Sequence, residues 1–226
     1  MVFAHKPKFV SFDMNGTLIH FRINEVIRRV LGDRLPAEIA DEFLRTGNQF
    51  RFDECMGDWK PFHQVVARSL ERTMRWFGLE YHEGDGEAVY EEIPTFTPYP
   101  GVTAALRRLA EEYPLVMITN TDDAHAPSLV ENLQAPIEVV ITSEQIGAYK
   151  PRLYAFEYAL DKLGVTPDEI VHVSASPKYD HRTATNLGIR NKVYVDRGFE
   201  QDEHWLGYER ITDIADLPVL FGLPRP

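Results

Sequence analysis

Asp13 is the residue of this chain best placed for covalent chemistry. It ends the apolar run FVSF and opens the polar turn MNGT, which carries Gly16 and Thr17. A carboxylate in such a place can act as a nucleophile, and the N–H groups of the turn can point at a bound anion. Aspartate also favours turns for local hydrogen-bonding reasons, which would make Asp13 only a cap. A short motif decides nothing until its context is known. The residues able to join Asp13 in such chemistry are Thr119 and Asn120, closing LVMITN, Lys150 in GAYKP, Ser174 and Ser176 in VSAS, and Asp196 in KVYVD.

Bringing these residues together requires several strands to end at one edge of a sheet. From Val102 onward the chain alternates accordingly: VTAALRRLAEEY reads as helix, LVMIT as buried strand, APSLVENL as helix and EVVIT as strand. RLYAFEYALDKLG then reads as helix, EIVHVSAS as strand, ATNLGI as a short helix and KVYVD as a last strand. This alternation implies an α/β fold with a mostly parallel sheet and right-handed crossovers, whose chemistry sits at the carboxyl ends of the strands. Asp13, Thr119 with Asn120, Ser174 with Ser176, and Asp196 all fall at such ends, and Lys150 follows EVVIT just ahead of a helix. Taken singly, Asn120 and Asp196 read as turn or cap residues; the shared placement raises the others.

Between Asn24 and about Tyr90 the pattern is helical instead. Three segments are expected, Asn24 to Leu31, Pro36 to about Phe52, and Pro61 to Phe77, the last with Val65, Val66, Leu70, Met74 and Phe77 near helical spacing. Pro94, Pro98, Pro100 and Gly101 mark a boundary after them.

The chain of 226 residues can hold one large domain or two modest ones. Its formal charge of -11, without clustered Lys and Arg, argues against a nucleic-acid partner. No run approaches the roughly 20 apolar residues of a membrane helix, and MVFAHKPKFV lacks the pattern of a signal peptide. The single cysteine, Cys55, excludes an intramolecular disulfide, fits a reducing cytoplasm and reads as a structural residue. A cytoplasmic protein with no membrane partner is therefore expected.

FDMNGTL with Asp13, the Thr119 and Asn120 pair, Lys150 in GAYKP, and VSASPKYD ending in Asp180 resemble, in order and placement, the four motifs of the haloacid dehalogenase superfamily. Within it the chain is most similar to the L-2-haloacid dehalogenase (type II) branch, and MGDWKPFHQVVARSLERTMRWFGL looks like that branch's cap helix. The resemblance implies a Rossmann-like parallel-sheet core over residues 1–19 and 97–226, with an inserted helical cap domain over residues 20–96. It also implies a homodimer, the common state of those dehalogenases.

The departures from the superfamily pattern set the chemistry. Its phosphatases carry a second aspartate two residues after the nucleophile, as general acid, and an acidic residue in the fourth motif that helps hold Mg²⁺. Here those positions are Asn15 and Ala175. Displacement at carbon needs neither, so no metal or other cofactor is expected. The resemblance then implies that Asp13 attacks the carbon beside a substrate carboxylate, and that water activated by Asp180 and Lys150 opens the resulting ester to a 2-hydroxy acid. Thr17, Thr119 and Ser174 are expected to position the carboxylates and the water, and Lys150 to keep Asp13 ionised. Met14, Asn15, Arg45, Asn120, Ser174 and Ser176 are expected to contact a small carboxylate-bearing substrate. Arg45 is preferred to Arg51 as the receiver of the leaving group, because its helix face is expected to turn inward. Phe156 stands where those dehalogenases have tyrosine, and the spacing from Ser174 to Asp180 is one residue longer than theirs. Two alternatives follow from these differences: hydrolytic C–N opening of a small strained cyclic amino acid, and a Mg-dependent small-molecule phosphatase.

Overall fold

The computed structural model describes residues 2–3 and 5–226. Two compact units divide the chain, one of residues 1–20 and 97–226, the other of residues 21–96.

The first unit is built on strands β1 (Phe9–Phe12), β2 (Leu115–Thr119), β3 (Val139–Thr142), β4 (Ile170–Ser174), β5 (Lys192–Val195) and β6 (Glu209–Ile211). They form one parallel sheet in the order β3-β2-β1-β4-β5-β6. The central strands are apolar along nearly their whole length because helices cover both faces of such a sheet. The crossovers use α5 (Val102–Ala110), α6 (Ala126–Leu133), the short α7 (Ser143–Ile146), α8 (Leu153–Leu163) and α9 (Arg182–Asn186). Phe156, Ala155 and Ala159 of α8 join Val116, Ile118, Ile141 and Ile170 in a fully apolar core. The last strand, β6, was not expected from the sequence: it is only three residues long and exposed at two of them.

In the second unit, α1 spans Ile23–Leu31, α2 Ala40–Met56, α3 Phe62–Trp76 and α4 Asp85–Glu91. The second helix starts later than the sequence suggested, because residues 36–39 form a turn, and runs on to Met56. The fourth helix lies beyond the three expected segments and just ahead of the boundary at Pro94 to Gly101. It crosses α3 at very short range: a Cβ built on Gly86 would lie 2.5 Å from both Cα and Cβ of Ala67, so only glycine fits there. Among the described residues no helix is long and apolar enough to cross a membrane.

Candidate active site

Parallel strands deliver their carboxyl ends to one edge, and the central pair delivers the reactive groups. Asp13 follows β1 directly, and its N–H still donates to Val173 O of β4 at 3.0 Å, extending the ladder by one step. The chain then turns sharply at Gly16, whose φ of 90° suits glycine. Its N–H, expected to face an anion, donates instead to Ile19 O at 2.8 Å and so closes the turn on itself.

Lys150 reaches the site from the loop before α8. Its ammonium has three hydrogens and meets three acceptors, Asp13 Oδ1, Asp180 Oδ1 and Ile118 O, each at 2.8 Å. Lysine and Asp180 are essentially inaccessible, and Asp13 is 8% exposed. The other oxygen of Asp13, Oδ2, accepts from Thr17 Oγ1 at 2.6 Å, and Thr17 Oγ1 in turn accepts from Ala175 N at 2.8 Å. Thr17 thus ties the first motif to the fourth while holding the nucleophile candidate.

Burial dominates the electrostatics of this cluster. It raises the Asp13 carboxyl above its ordinary value, and the Lys150 charge only partly opposes that, because it is shared with Asp180. Lys150 works to keep Asp13 ionised, through its charge and its hydrogen bond, although burial sets the net direction. Burial also works to raise Asp180, but the Lys150 charge and a hydrogen bond from His172 outweigh it, leaving this carboxyl well below the usual range. On Lys150, burial favours the neutral amine, and the two carboxylates together reverse it, so the ammonium is held more firmly than in water.

Several expected substrate contacts turn out to hold the site's own parts in place. The Asn120 amide accepts from Lys150 N at 2.7 Å and donates to Lys150 O at 3.0 Å, so it clamps the backbone that carries the lysine. Thr119 Oγ1 accepts from Thr121 N and donates to Thr121 Oγ1, which also accepts from Asn15 Nδ2 at 2.7 Å. Ser174 Oγ accepts from Ser176 N at 2.9 Å. Ser176 caps the turn that follows, accepting from Tyr179 N at 3.0 Å and donating to Glu200 Oε1 at 2.8 Å. Met14 is wholly buried. Asp196 pairs with Arg210, a structural role.

The segment between Ser174 and Asp180 passes into a π-turn over Pro177–His181. Both Asp180 N (3.1 Å) and His181 N (3.3 Å) donate to Ser176 O, the second across five residues. Single π-turns of this kind recur at functional sites, and here the turn carries Asp180 onto Lys150. His181, on the same turn, donates from Nε2 to Ser174 O at 2.9 Å, and burial pushes its pKa down to about 3.

Arg45 does not lie on the inward face of its helix. The buried residues of α2 are Ala40, Phe43, Leu44 and Cys55, and Arg45 falls off that stripe into solvent. Arg51 is half-buried: its guanidinium lies 5.4 Å from the Phe21 ring centroid, beside a small apolar cavity of the helical unit that Phe43 and Leu70 also line.

Several polar residues near the site escaped the sequence reading, Thr121 and His181 among them. His172, inside β4, and Glu200, on the loop after β5, touch Asp180 and Ser176 respectively. The imidazole between two valines in IVHVS was the available signal for His172.

The donor set does not fit Mg²⁺, which asks for near-octahedral oxygen coordination. Both oxygens of Asp13 hold donors, Asn15 turns its NH₂ toward Thr121, and Ala175 offers only a methyl group. Among the described residues no three His, Cys, Asp or Glu side chains are grouped to hold a metal.

A sequence model of the haloacid dehalogenase-like hydrolase family matches residues 7–188. Haloacetate dehalogenase H-2 of Moraxella sp. (strain B) is 26% identical over 205 residues, 88% of this chain and 90% of that protein. The phosphoglycolate phosphatase of Rhodospirillum rubrum is 27% identical over 238 residues, 97% of this chain and 93% of that one. The solved L-2-haloacid dehalogenase of Xanthobacter autotrophicus has the same fold, with a TM-score of 0.78 at 22% identity over 96% of this chain and 98% of that one. With a matched region that runs through all four motifs, from Asp13 to Asp180, the chain belongs to the haloacid dehalogenase-like hydrolase family and is a hydrolase.

Proposed function

We propose that the chain hydrolyses a small 2-halo acid through an ester on Asp13. An Asp13 oxygen attacks the carbon beside the substrate carboxylate, and the halide departs with the bonding electrons. Water then adds to Cγ of the ester, Asp180 takes its proton, and the 2-hydroxy acid leaves with an oxygen that came from Asp13. Lys150 spans both steps, because it touches Asp13 and Asp180 through one ammonium.

The observation that carries this reading is Asn15. Its amide donates to Thr121 Oγ1 and has no acidic proton for a leaving oxygen or nitrogen. A halide leaves without one. The same amide counts against phosphoryl transfer and against C–N ring opening, both of which call for an acid at the leaving atom. Phosphatases among the relatives keep phosphoryl transfer as the reading to test against.

A single turnover in ¹⁸O-water with haloacetate and 2-chloropropionate decides the matter. One ¹⁸O in the Asp13 peptide and none in the product is the expected result. Label in the product alone would remove the covalent route, and hydrolysis of p-nitrophenyl phosphate abolished by EDTA, without halide release, would replace this reading with the phosphatase.

A further inference from the structure

Two polar side chains lie inside the central strands, where the steps above make no use of them. Ser11 of β1 and His172 of β4 are paired in register and wholly buried. Ser11 Oγ lies 2.9 Å from His172 Nδ1 and 3.3 Å from Val171 O, and His172 Nε2 lies 3.0 Å from Asp180 Oδ1. Phe156 of α8 meets the imidazole edge-on, with centroids 5.0 Å apart, and holds the ring in its plane. A polar pair at the centre of a parallel sheet is costly to desolvate, and aliphatic residues would fill the same space at no such cost.

What the pair achieves is visible at Asp180. An ionised carboxylate only accepts, so a hydrogen lies on His172 Nε2, while Ser11 Oγ holds the other ring nitrogen, Nδ1. Asp180 Oδ1 therefore receives two donors, Lys150 Nζ at 2.8 Å and His172 Nε2 at 3.0 Å. Its partner Oδ2 is buried and has no hydrogen bond in the protein. The string from Ser11 through His172 fixes one oxygen of the carboxylate and leaves the other without a protein donor.

We propose that His172, oriented by Ser11, is a positioning residue for the second half-reaction: it locks Asp180 so that Oδ2 is the oxygen that deprotonates the attacking water. The proposal rests on the reading of Asp13 as the ester-forming nucleophile. In the step, the water oxygen bonds to Asp13 Cγ, its proton passes to Asp180 Oδ2, and the carbonyl π electrons move onto the carbonyl oxygen. As the tetrahedral carbon collapses, the C–O bond to the substrate breaks and Asp180 returns that proton to the departing alkoxide. His172 and Lys150 keep their hydrogens throughout.

The test compares wild type with His172→Leu, which removes the donor, and His172→Gln, which keeps an N–H near the position of Nε2. Pre-steady-state halide release and mass spectrometry of the quenched Asp13 peptide follow both half-reactions. In H172L, ester breakdown is expected to slow about tenfold or more, a share of the roughly 10²–10⁴-fold that a general base supplies. Ester formation should stay within about threefold, so a halide burst and a trapped ester appear, and H172Q should remove most of the burst. A packing defect would slow both phases together and leave no ester. Equal slowing of both phases, an unchanged H172L, or an H172Q no better than leucine would each overturn the proposal. Should H172L fail to fold, Ser11→Ala stands in, with a smaller burst expected and its absence counting against the idea. No ester in wild type with either 2-halo acid would sink the underlying reading; an ester in wild type without accumulation in H172L would sink this inference alone.

Discussion

The two units each contain a charge triad, and the triads are mirror images. In the α/β unit one cation, Lys150, sits between two carboxylates, Asp13 and Asp180. In the helical unit one carboxylate, Glu54, sits between two cations, Lys60 at 3.0 Å and Arg72 at 2.5 Å, and Arg72 also reaches Asp53 at 2.8 Å. The first triad is sealed, with side-chain exposures of 1%, 11% and 0%; in the second Glu54 and Lys60 are buried to a similar degree, at 11% and 9%, and Arg72, at 29%, leads out to the exposed Asp53. Burial works to raise Glu54 too, but hydrogen bonds from Arg72 and Lys60 win, and the carboxyl lies below its ordinary value. At Asp13 burial wins instead. The helical triad is satisfied and inert, whereas the sealed one holds a carboxylate at raised free energy beside a fixed cation, as a nucleophile requires.

Removing the central residue of each triad gives the largest contrast. Lys150→Met leaves two buried carboxylates facing each other, which should cost about 3–5 kcal/mol at neutral pH and abolish measurable halide release. Like charges push carboxyl pKa values up in the folded state, so the loss should shrink as pH falls, when one carboxyl takes a proton. Glu54→Gln leaves Lys60 its bond to the backbone carbonyl of residue 54 and Arg72 its bridge to Asp53, so it should cost less, about 2 kcal/mol, with turnover within about twofold. Urea titrations at pH 5 and 8 with a halide assay measure all four values, and comparable stability losses in the two variants would dissolve the contrast.

The same contrast marks what could be read from sequence. Long apolar strands ending in polar residues put Asp13 and Thr119 at strand ends, where the structure has them, because period and strand ends are local signals. The inert parts were less legible. Helix α4 hides among Gly and Pro, and β6 is too short to leave a pattern. Arg45 was misplaced because the buried stripe of α2 depends on what packs on it, not on spacing alone. The bonds of Ser11 to His172 and of Ser176 to Glu200 join residues 161 and 24 positions apart, and nothing in either local sequence specifies the partner.

A smaller effect concerns the raised carboxyl of Asp13. In the proposed reaction Asp13 attacks in its ionised form, so halide release should fall away on the acid side at a pH above the ordinary aspartate range. Thr17 donates to Asp13 Oδ2 and favours its charged form, so Thr17→Val should move the acid limb of kcat/KM further toward neutral pH. An acid limb in T17V that coincides with wild type, or lies below it, would show that the hydroxyl does not tune the nucleophile.

The smallest effect belongs to the helical unit, where Arg34 grips Asp85 through two hydrogen bonds of 2.7 and 2.8 Å. Arg34 is the main cause that holds the Asp85 carboxyl low, ahead of burial, which opposes it. A depressed folded-state pKa contributes stability that is complete above the unfolded value of about 3.9 and is lost as pH falls through the folded one. Asp85→Asn should therefore destabilise by roughly 1 kcal/mol at pH 7, at the upper end for a partly exposed bidentate pair, and by progressively less below about pH 4. Because this pair lies outside the sealed triad, the acid limb of kcat/KM in D85N should coincide with that of wild type. A shift of that limb would mean that the two units do not keep structural and chemical charges apart, and the distinction between the triads would fail at its weakest member.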